Sequence, residues 1–231
     1  ADERSARRAD VAGSGGGGGG GAAAAAAEVP ARAFSRQDVR VMQELVRRGA
    51  FPVSGEEPAR VRTLHATGLL DTEREESFDR LTMMASRLLN VPIALVSLVD
   101  LKRQWFKSAC GLGDVRQTPR EQAFCNYAVM PDTEVFVVLD AANDPRFAGN
   151  PLVTGWPHIR FYAGAGVEVP DDTAASGLPR ERGQAAATRK IGTLCVIDRA
   201  PHERFTMEEK RVLLDLAALV ADQIRLRRAT R

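Results

Sequence analysis

The stretch that decides the fold reads Pro92-Ile-Ala-Leu-Val-Ser-Leu-Val-Asp100 and continues, after a short turn, as Gln104-Trp-Phe-Lys-Ser-Ala-Cys110. The first segment is rich in aliphatic and β-branched residues and is too short for a typical globular helix, so it predicts a buried strand. Because the intervening residues can form only a tight turn, the second segment predicts the returning strand of a hairpin. An antiparallel sheet is therefore the expected centre of the fold.

Three further strands are predicted after the hairpin, at residues 134–140, 160–169 and 190–198, because each is rich in β-branched or aliphatic residues. Residues 170–190, between the last two strands, are polar, small and turn-rich, which predicts an inserted hairpin loop. The strands follow one another without the helical crossovers that a parallel sheet requires.

Two helical patterns flank the strands. Apolar side chains recur at helical spacing over residues 78–89 and 212–224. A Thr-x-x-Glu capping box precedes each pattern, at residues 72–75 and 206–209, and predicts where the two helices begin. Helices at both ends of a run of hairpin-linked strands indicate an α+β fold built on an antiparallel sheet.

The N-terminal region has a different composition from the rest of the chain. Residues 14–27 are one serine, seven glycines and six alanines, a run with no large side chain to offset the entropy cost of ordering its backbone. We therefore expect residues 1–33 to form a disordered leader, residues 34–59 a short helix and linker, and residues 60–231 one folded domain with a C-terminal helix.

Charge and cysteine content exclude several classes of protein. With 32 Lys and Arg against 30 Asp and Glu, the net charge of +2 gives no broad electrostatic reason to expect nucleic-acid binding. No apolar run reaches the roughly 18 residues of a membrane span, and no secretory signal is recognisable, so a cytoplasmic location is expected. The three cysteines, Cys110, Cys125 and Cys195, match no metal-binding spacing. Because the chain begins with Ala, it can be a piece of a longer signalling enzyme, such as a histidine kinase.

A series of short motifs follows in order between residues 60 and 226. They are Gly68-Leu-Leu-Asp-Thr72, Glu76-Ser-Phe-Asp79, residues 92–100, Gln104-Trp-Phe106, Thr118-Pro-Arg120, Phe124-Cys125, Asp144-Pro-Arg-Phe147, Asn150-Pro-Leu-Val153, Ile159-Arg-Phe-Tyr-Ala-Gly164 and Gly192-Thr-Leu-Cys-Val-Ile-Asp198. In this order they resemble the GAF domains found in bacterial-type histidine kinases and diguanylate cyclases. Each motif alone is weak evidence for the family, whereas the occurrence of all of them in the same order is specific to it.

The resemblance implies a sheet of five or six antiparallel strands, with helices on one face and a pocket enclosed by loops and short helices on the other. GAF domains bind small ligands there, such as cyclic nucleotides or tetrapyrroles, or bind nothing known. They often pair through their terminal helices and pass a conformational change to an output domain. The resemblance therefore implies a non-catalytic sensory module of a signal-transduction or phosphorelay protein, with a small ligand, a second copy or an output domain as its partner.

The sequence departs from the family pattern beside the implied pocket. Where the family usually continues with a Pro-Leu pair, this chain has Ala165-Gly166-Val167, followed by the insertion at residues 170–190. Its ligand can therefore differ from those of the family, and no residue pattern identifies a cofactor.

The candidate pocket residues are of two kinds. The aromatic and thiol candidates are Trp105, Phe124, Cys125, Tyr162 and Cys195, and the polar candidates are Asp144, Arg146, Asn150, His158 and Arg160. Four of the polar candidates could hold an anionic or nucleotide-like ligand through charge-assisted hydrogen bonds, namely Asp144, Arg146, Asn150 and Arg160. Alternatively, the Asp-Pro-Arg-Phe stretch orders its own loop, with the aspartate capping and the arginine pairing to a nearby carboxylate.

Two further functions remain open at this stage. A cysteine-based redox or small-molecule enzyme would need Cys125 or Cys195 to be exposed and to have a lowered pKa, whereas a free cysteine is commonly a small buried hydrophobe. A domain that only dimerises would have an empty pocket too small for any ligand.

Overall fold

The computed structural model describes residues 35–49, 51–171 and 187–230, and these residues form six α-helices and one six-stranded sheet. The helices are α1 (Arg36–Arg48), α2 (Glu57–Ala66), α3 (Glu76–Leu88), α4 (Cys125–Ala128), α5 (Pro151–Thr154) and α6 (Met207–Ala229). The strands are β1 (Ile93–Val99), β2 (Arg103–Cys110), β3 (Gln117–Pro119), β4 (Val135–Val138), β5 (Phe161–Pro170) and β6 (Thr188–Asp198).

The sheet has the strand order β3-β2-β1-β6-β5-β4, and every neighbouring pair is antiparallel. The α+β class and the antiparallel sheet are therefore as predicted, and each of the five predicted strands is present. The sixth, β3, has only three residues, and a segment of that length cannot show the alternation that identifies a strand.

Each face of the sheet carries its own hydrophobic cluster. Helices α3 and α6 cover one face, where the fully buried side chains include Phe78, Val96, Leu98, Phe161, Leu194, Leu213, Val220 and Ile224. The segments between β3 and β5, including α4 and α5, cover the other face over Ile93, Leu95, Phe106, Phe124, Tyr162, Cys195 and Ile197. Since side chains alternate along a strand, β1, β5 and β6 supply both clusters.

The two predicted capping boxes have different outcomes. At the start of α6, Thr206 Oγ1 accepts from the backbone N–H of Glu209 at 3.2 Å, and Glu209 Oε2 accepts from the backbone N–H of Thr206 at 2.6 Å, as predicted. The box predicted for α3 is wrong. That helix begins one residue after Glu75, and Thr72 donates to the carbonyl of Leu69 instead.

On α3 and α6, the stripe of apolar side chains is wider than the helix face that packs against the sheet. Met84 and Leu88 on α3, and Leu219 on α6, belong to the predicted apolar stripes, yet all three are exposed. The helices therefore present apolar side chains on the outer surface as well as to the sheet.

Two sequence expectations fall outside the described residues: the leader at residues 1–33 and most of the inserted loop at residues 170–190. The expected boundary at residue 60 lies inside α2. None of the helices in the described ranges combines the length and the apolar character needed to cross a membrane.

Candidate functional site

A small cavity lies on the face of the sheet opposite α3 and α6. Its volume is about 30 Å³, which leaves room for about one water molecule. Its walls come from the sheet, from α4 and from the loop around α5. They are formed by Leu95, Gln104, Phe106, Leu112, Val115, Thr118, Phe124, Cys125, Leu152, Trp156, Pro157, Ile159, Tyr162 and Ile197.

Aromatic side chains fill the rest of this space. The ring of Phe124 stacks on that of Phe147, with centroids 3.9 Å apart and planes 9° from parallel. Phe124 also stacks against Tyr162, with ring centroids 5.2 Å apart. These three side chains are buried, so the region where the family resemblance places a ligand is occupied by the protein itself.

The position of Tyr162 depends on the glycine two residues later on the same face of β5. A Cβ atom on Gly164 would lie 2.3 Å from the Tyr162 hydroxyl oxygen, so only glycine lets the ring lie along the strand. In this position the hydroxyl of Tyr162 donates to Cys125 Sγ at 3.2 Å. The hydroxyl of Thr193, on β6, donates to the same sulfur at 3.1 Å.

The sulfur atoms of Cys125 and Cys195 lie 3.9 Å apart, and both side chains are buried. Burial raises the pKa of the Cys125 thiol, but hydrogen bonds with Cys195, Thr193 and Tyr162 outweigh this effect and bring the pKa to about 7. The hydrogen bond with Cys125, together with burial, raises the pKa of Cys195 well above its ordinary value. The pair therefore loses one proton far more readily than the second.

The charged residues of the loop before α5 pair with each other. Asp144 Oδ2 accepts from Arg146 Nη2 at 2.5 Å, and Asp144 Oδ1 accepts from the backbone N–H of Arg146 at 2.9 Å. The guanidinium of Arg146 lies over the rings of Tyr127, Phe136 and Phe147 at 5.0–5.4 Å. Its hydrogen bond lowers the pKa of Asp144. These contacts fit the loop-ordering interpretation of the Asp-Pro-Arg-Phe motif.

Two of the remaining polar candidates, Asn150 and Arg160, also bond to backbone groups around this loop. Asn150 caps α5 by accepting from the N–H of Leu152 and donates to the carbonyl of Gln122 at 3.0 Å. Arg160 donates to the carbonyl of Val153 at 3.0 Å. His158 is exposed and has a φ of 63°.

The structure thus brings together only part of the candidate set. Phe124, Cys125 and Tyr162 line the cavity, and Cys195 contacts Cys125 behind its wall. Trp105 lies on the opposite face, in the cluster under α3 and α6, with Arg116 5.3 Å above its ring. The cavity lining contains none of the polar candidates, Asp144, Arg146, Asn150, His158 and Arg160.

Sequence reasoning missed two features of this region. Thr193 has a detectable signal, because it lies two residues before Cys195 and therefore on the same face of β6. The second feature is a buried ionic cluster in which Glu57 Oε1 accepts from Arg60 Nη2 and lies 2.6 Å from Arg120 Nη1. Arg120 is the last residue of the Thr-Pro-Arg motif, but its partners are about 60 residues away in the sequence.

Comparisons with known proteins identify the family to which this sequence is similar. A family model described as the GAF domain matches residues 73–224. The chain is 39% identical over 179 residues to a cyclic di-GMP phosphodiesterase of Pseudomonas aeruginosa, an alignment that covers 78% of this chain and 27% of that protein. The chain therefore spans only about a quarter of the length of this relative.

Two solved GAF domains are similar in structure to this chain at low sequence identity. The GAF domain of an Acinetobacter phosphoenolpyruvate-protein phosphotransferase is 14% identical, with a TM-score of 0.46, and the match covers 85% of this chain and 97% of that one. The corresponding domain from Coxiella burnetii is also 14% identical, with a TM-score of 0.48 and coverage of 74% and 96%. Because the family model matches more than half of its length, this chain belongs to the GAF domain family.

Proposed function

We propose that this chain is a non-catalytic regulatory module that acts through the packing of its terminal helices. The observation that carries the proposal is a contrast between the two sides of the sheet. On the cavity side, side chains leave only about 30 Å³, whereas on the other side α3 and α6 expose apolar side chains to solvent. A surface of this kind is typical of a protein–protein contact.

Two of the exposed apolar side chains, both on α6, line a groove between α3 and α6. Leu219 and Leu226 are 49% and 59% exposed and lie two turns apart on the same side of α6. Leu81 of α3 lines the groove with them, and Arg80 and Arg225 contribute charge at its edge. Since a second copy presents the same groove, a two-fold arrangement would bury both sets of leucines. We infer that the partner is a second copy of this chain.

The same helices pack on the sheet, so a structural change on the cavity side of the sheet can reach them. Helix α6 packs on β5 and β6, and these strands also supply Tyr162 and Cys195 to the cavity side. A change on the cavity side can alter the output only if it stabilises one packing state of the helices more than the other.

The relative named as a cyclic di-GMP phosphodiesterase suggests what such a module regulates. Because the aligned region is 27% of that protein, we infer that this chain corresponds to a regulatory segment. Catalysis, including phosphodiesterase activity, is then assigned to a part outside the aligned region.

A small ligand is the second candidate for the input signal. It would need Phe124 to move, because this ring lines the small cavity and is held by stacking on Phe147. Native mass spectrometry of the purified chain, together with an absorption spectrum, tests this candidate. A bound molecule or chromophore would support it, and a bare protein mass is the result expected from the closed cavity.

Sedimentation of matched point variants tests the dimer. Truncation before α6 would remove core side chains such as Leu213 and Val220, so it is not informative. We expect the unsubstituted chain to dimerise and the double variant Leu219→Glu/Leu226→Glu to be monomeric. The matched control is Met207→Glu, which alters an exposed side chain on the same helix, roughly a third of a turn around from Leu219.

The control should remain dimeric. A monomeric unsubstituted chain, or equal dissociation of the control and the double variant, would reject the dimer.

A further inference from the structure

The arrangement around Cys125 differs from that of an ordinary buried cysteine. Two hydroxyl groups, from Tyr162 and Thr193, donate to its sulfur, and the sulfur of Cys195 is 3.9 Å away. A cysteine that only fills apolar space does not require convergent donors, since thiols are weak acceptors. The donors instead suit a sulfur that carries negative charge for part of the time.

The cavity gives one class of small molecule a place beside this sulfur. Cys125 forms part of its wall, and the volume of about 30 Å³ excludes anything much larger than water. Trp156 lines the same cavity and is 53% exposed, so this wall of the cavity reaches the protein surface. Hydrogen peroxide is an oxidant close to water in size.

We propose that Cys125 and Cys195 form a redox modification site, in which hydrogen peroxide oxidises Cys125 and the product condenses with Cys195 to a disulfide. This inference goes beyond the regulatory role proposed above and does not depend on dimerisation. It also differs from an enzyme activity, because a cavity of about 30 Å³ leaves no space for an organic substrate.

The two steps balance in atoms and electrons. In the first, the sulfur of Cys125 attacks one peroxide oxygen, the O–O bond breaks, and the sulfur loses two electrons to the peroxide. The products are a sulfenic acid on Cys125 and one water, whose second proton comes from the original thiol. In the second, the sulfur of Cys195 attacks the Cys125 sulfur, the S–O bond breaks, and the hydroxyl leaves as water with the Cys195 proton.

The geometry favours the second step. The two sulfurs must approach from 3.9 Å to about 2 Å, a change that side-chain rotation and a small shift of α4 can supply. Cys195 lies in β6, which is paired on both sides and is therefore held in place. Helix α4 has only four residues, so the movement falls on the cover of the cavity rather than on the sheet.

Thiol counting in a Cys110→Ser background provides the test, because Cys110 is only partly buried and would otherwise react independently. The folded chain is treated with peroxide, denatured, and labelled with a maleimide. We expect two labelled thiols before treatment, none after it, and two again after reduction with dithiothreitol. Peptide mapping should find Cys125 joined to Cys195.

Two variants in the same background examine the individual steps. Cys110→Ser/Cys195→Ser should stop at a sulfenic acid on Cys125, which dimedone traps. Thr193→Val should slow thiol loss about tenfold, the effect of one hydrogen bond to a charged group. A Thr193→Ser variant restores the donor and should restore the rate.

The proposal is overturned if both thiols survive peroxide, or if Cys125 gains oxygen without joining Cys195. A disulfide between two chains would overturn it equally. Peptide mapping of the unsubstituted chain, with Cys110 present, gives the same decision if Cys110→Ser impairs folding.

Discussion

The guanidinium group of Arg227 donates to Glu75 Oε1 at 2.8 Å, which joins the C-terminal end of α6 to the residue that precedes α3. The same oxygen accepts from Lys107 Nζ, on β2, at 2.7 Å. Lys107 is fully buried, and burial lowers the pKa of its amine, an effect that Glu75 opposes. One carboxylate thus connects the last helix, the first helix on that face and the sheet.

Replacing this carboxylate should destabilise the fold. We expect Glu75→Gln to reduce the free energy of unfolding by about 2 kcal/mol, because Lys107 would remain buried beside a neutral group. Urea denaturation measures the change. The control is Glu76→Gln, which removes an exposed carboxylate paired with Arg80 at 3.3 Å and should cost less than about 0.5 kcal/mol. Equal losses in the two variants would contradict the connecting role of Glu75.

The buried cluster around Glu57 predicts how stability depends on acid. Burial raises the pKa of Glu57, but the guanidinium groups of Arg60 and Arg120 outweigh it and lower the pKa to about 2. A carboxyl whose folded pKa is below its unfolded value of 4.5 stabilises the protein above pH 4.5, and this contribution is lost as the pH falls towards 2. Its size is about 3 kcal/mol.

Glu57→Gln should therefore lower the free energy of unfolding at pH 7 and should remove much of the pH dependence between about pH 4.5 and pH 2. Urea denaturation at a series of pH values measures both effects. An unchanged slope in that range would show that other carboxyl groups cause the acid sensitivity.

Part of this fold could be predicted because its signals are local. The strands at residues 93–99 and 188–198 follow from runs of buried apolar residues, and the start of α6 follows from one capping box. The capping box predicted for α3 failed because Glu75 pairs instead with Lys107 and Arg227, partners that lie far away in the sequence. A local sequence pattern cannot show that a side chain pairs with a residue far away in the sequence instead of with its neighbours.

The candidate site was predictable only in part for the same reason. Trp105 and Phe106 are adjacent, so they must point to opposite faces, but the sequence does not state which face holds the cavity. The contact between Cys125 and Cys195 joins residues 70 apart and depends on the pairing of β6 with β1 and β5. The closed state of the cavity depends in turn on how aromatic rings from separate segments pack.

Close packing between β6 and β1 predicts a strict requirement for glycine at residue 192. A Cβ atom there would lie 2.1 Å from the carbonyl oxygen of Ser97, which is backbone and cannot rotate away. We expect Gly192→Ala to cost at least about 2 kcal/mol in thermal or urea denaturation. Gly149→Ala, where the added Cβ meets nothing within 4 Å, is the matched control and should be close to neutral. Similar stability of the two variants would mean that the strands are less closely paired than described.

Removing the ring of Phe124 should convert the small cavity into one that binds ligands. Phe124 is buried, stacks on Phe147 and lines the cavity, so Phe124→Ala should lower the free energy of unfolding by about 3 to 4 kcal/mol and leave an apolar space. Such a space admits small aromatic compounds. Indole should therefore raise the melting temperature of the variant and leave that of the unsubstituted chain unchanged.

A control variant shows whether the rise in melting temperature with indole results from binding in the enlarged cavity. Phe136 is part of the same aromatic cluster but does not line the cavity, so Phe136→Ala removes an equal ring without enlarging it. We expect this variant to be destabilised and to show no response to indole. A response from the unsubstituted chain would mean that Phe124 and Phe147 open readily. In that case the ligand-sensing candidate would be favoured over a module that signals only through its helices.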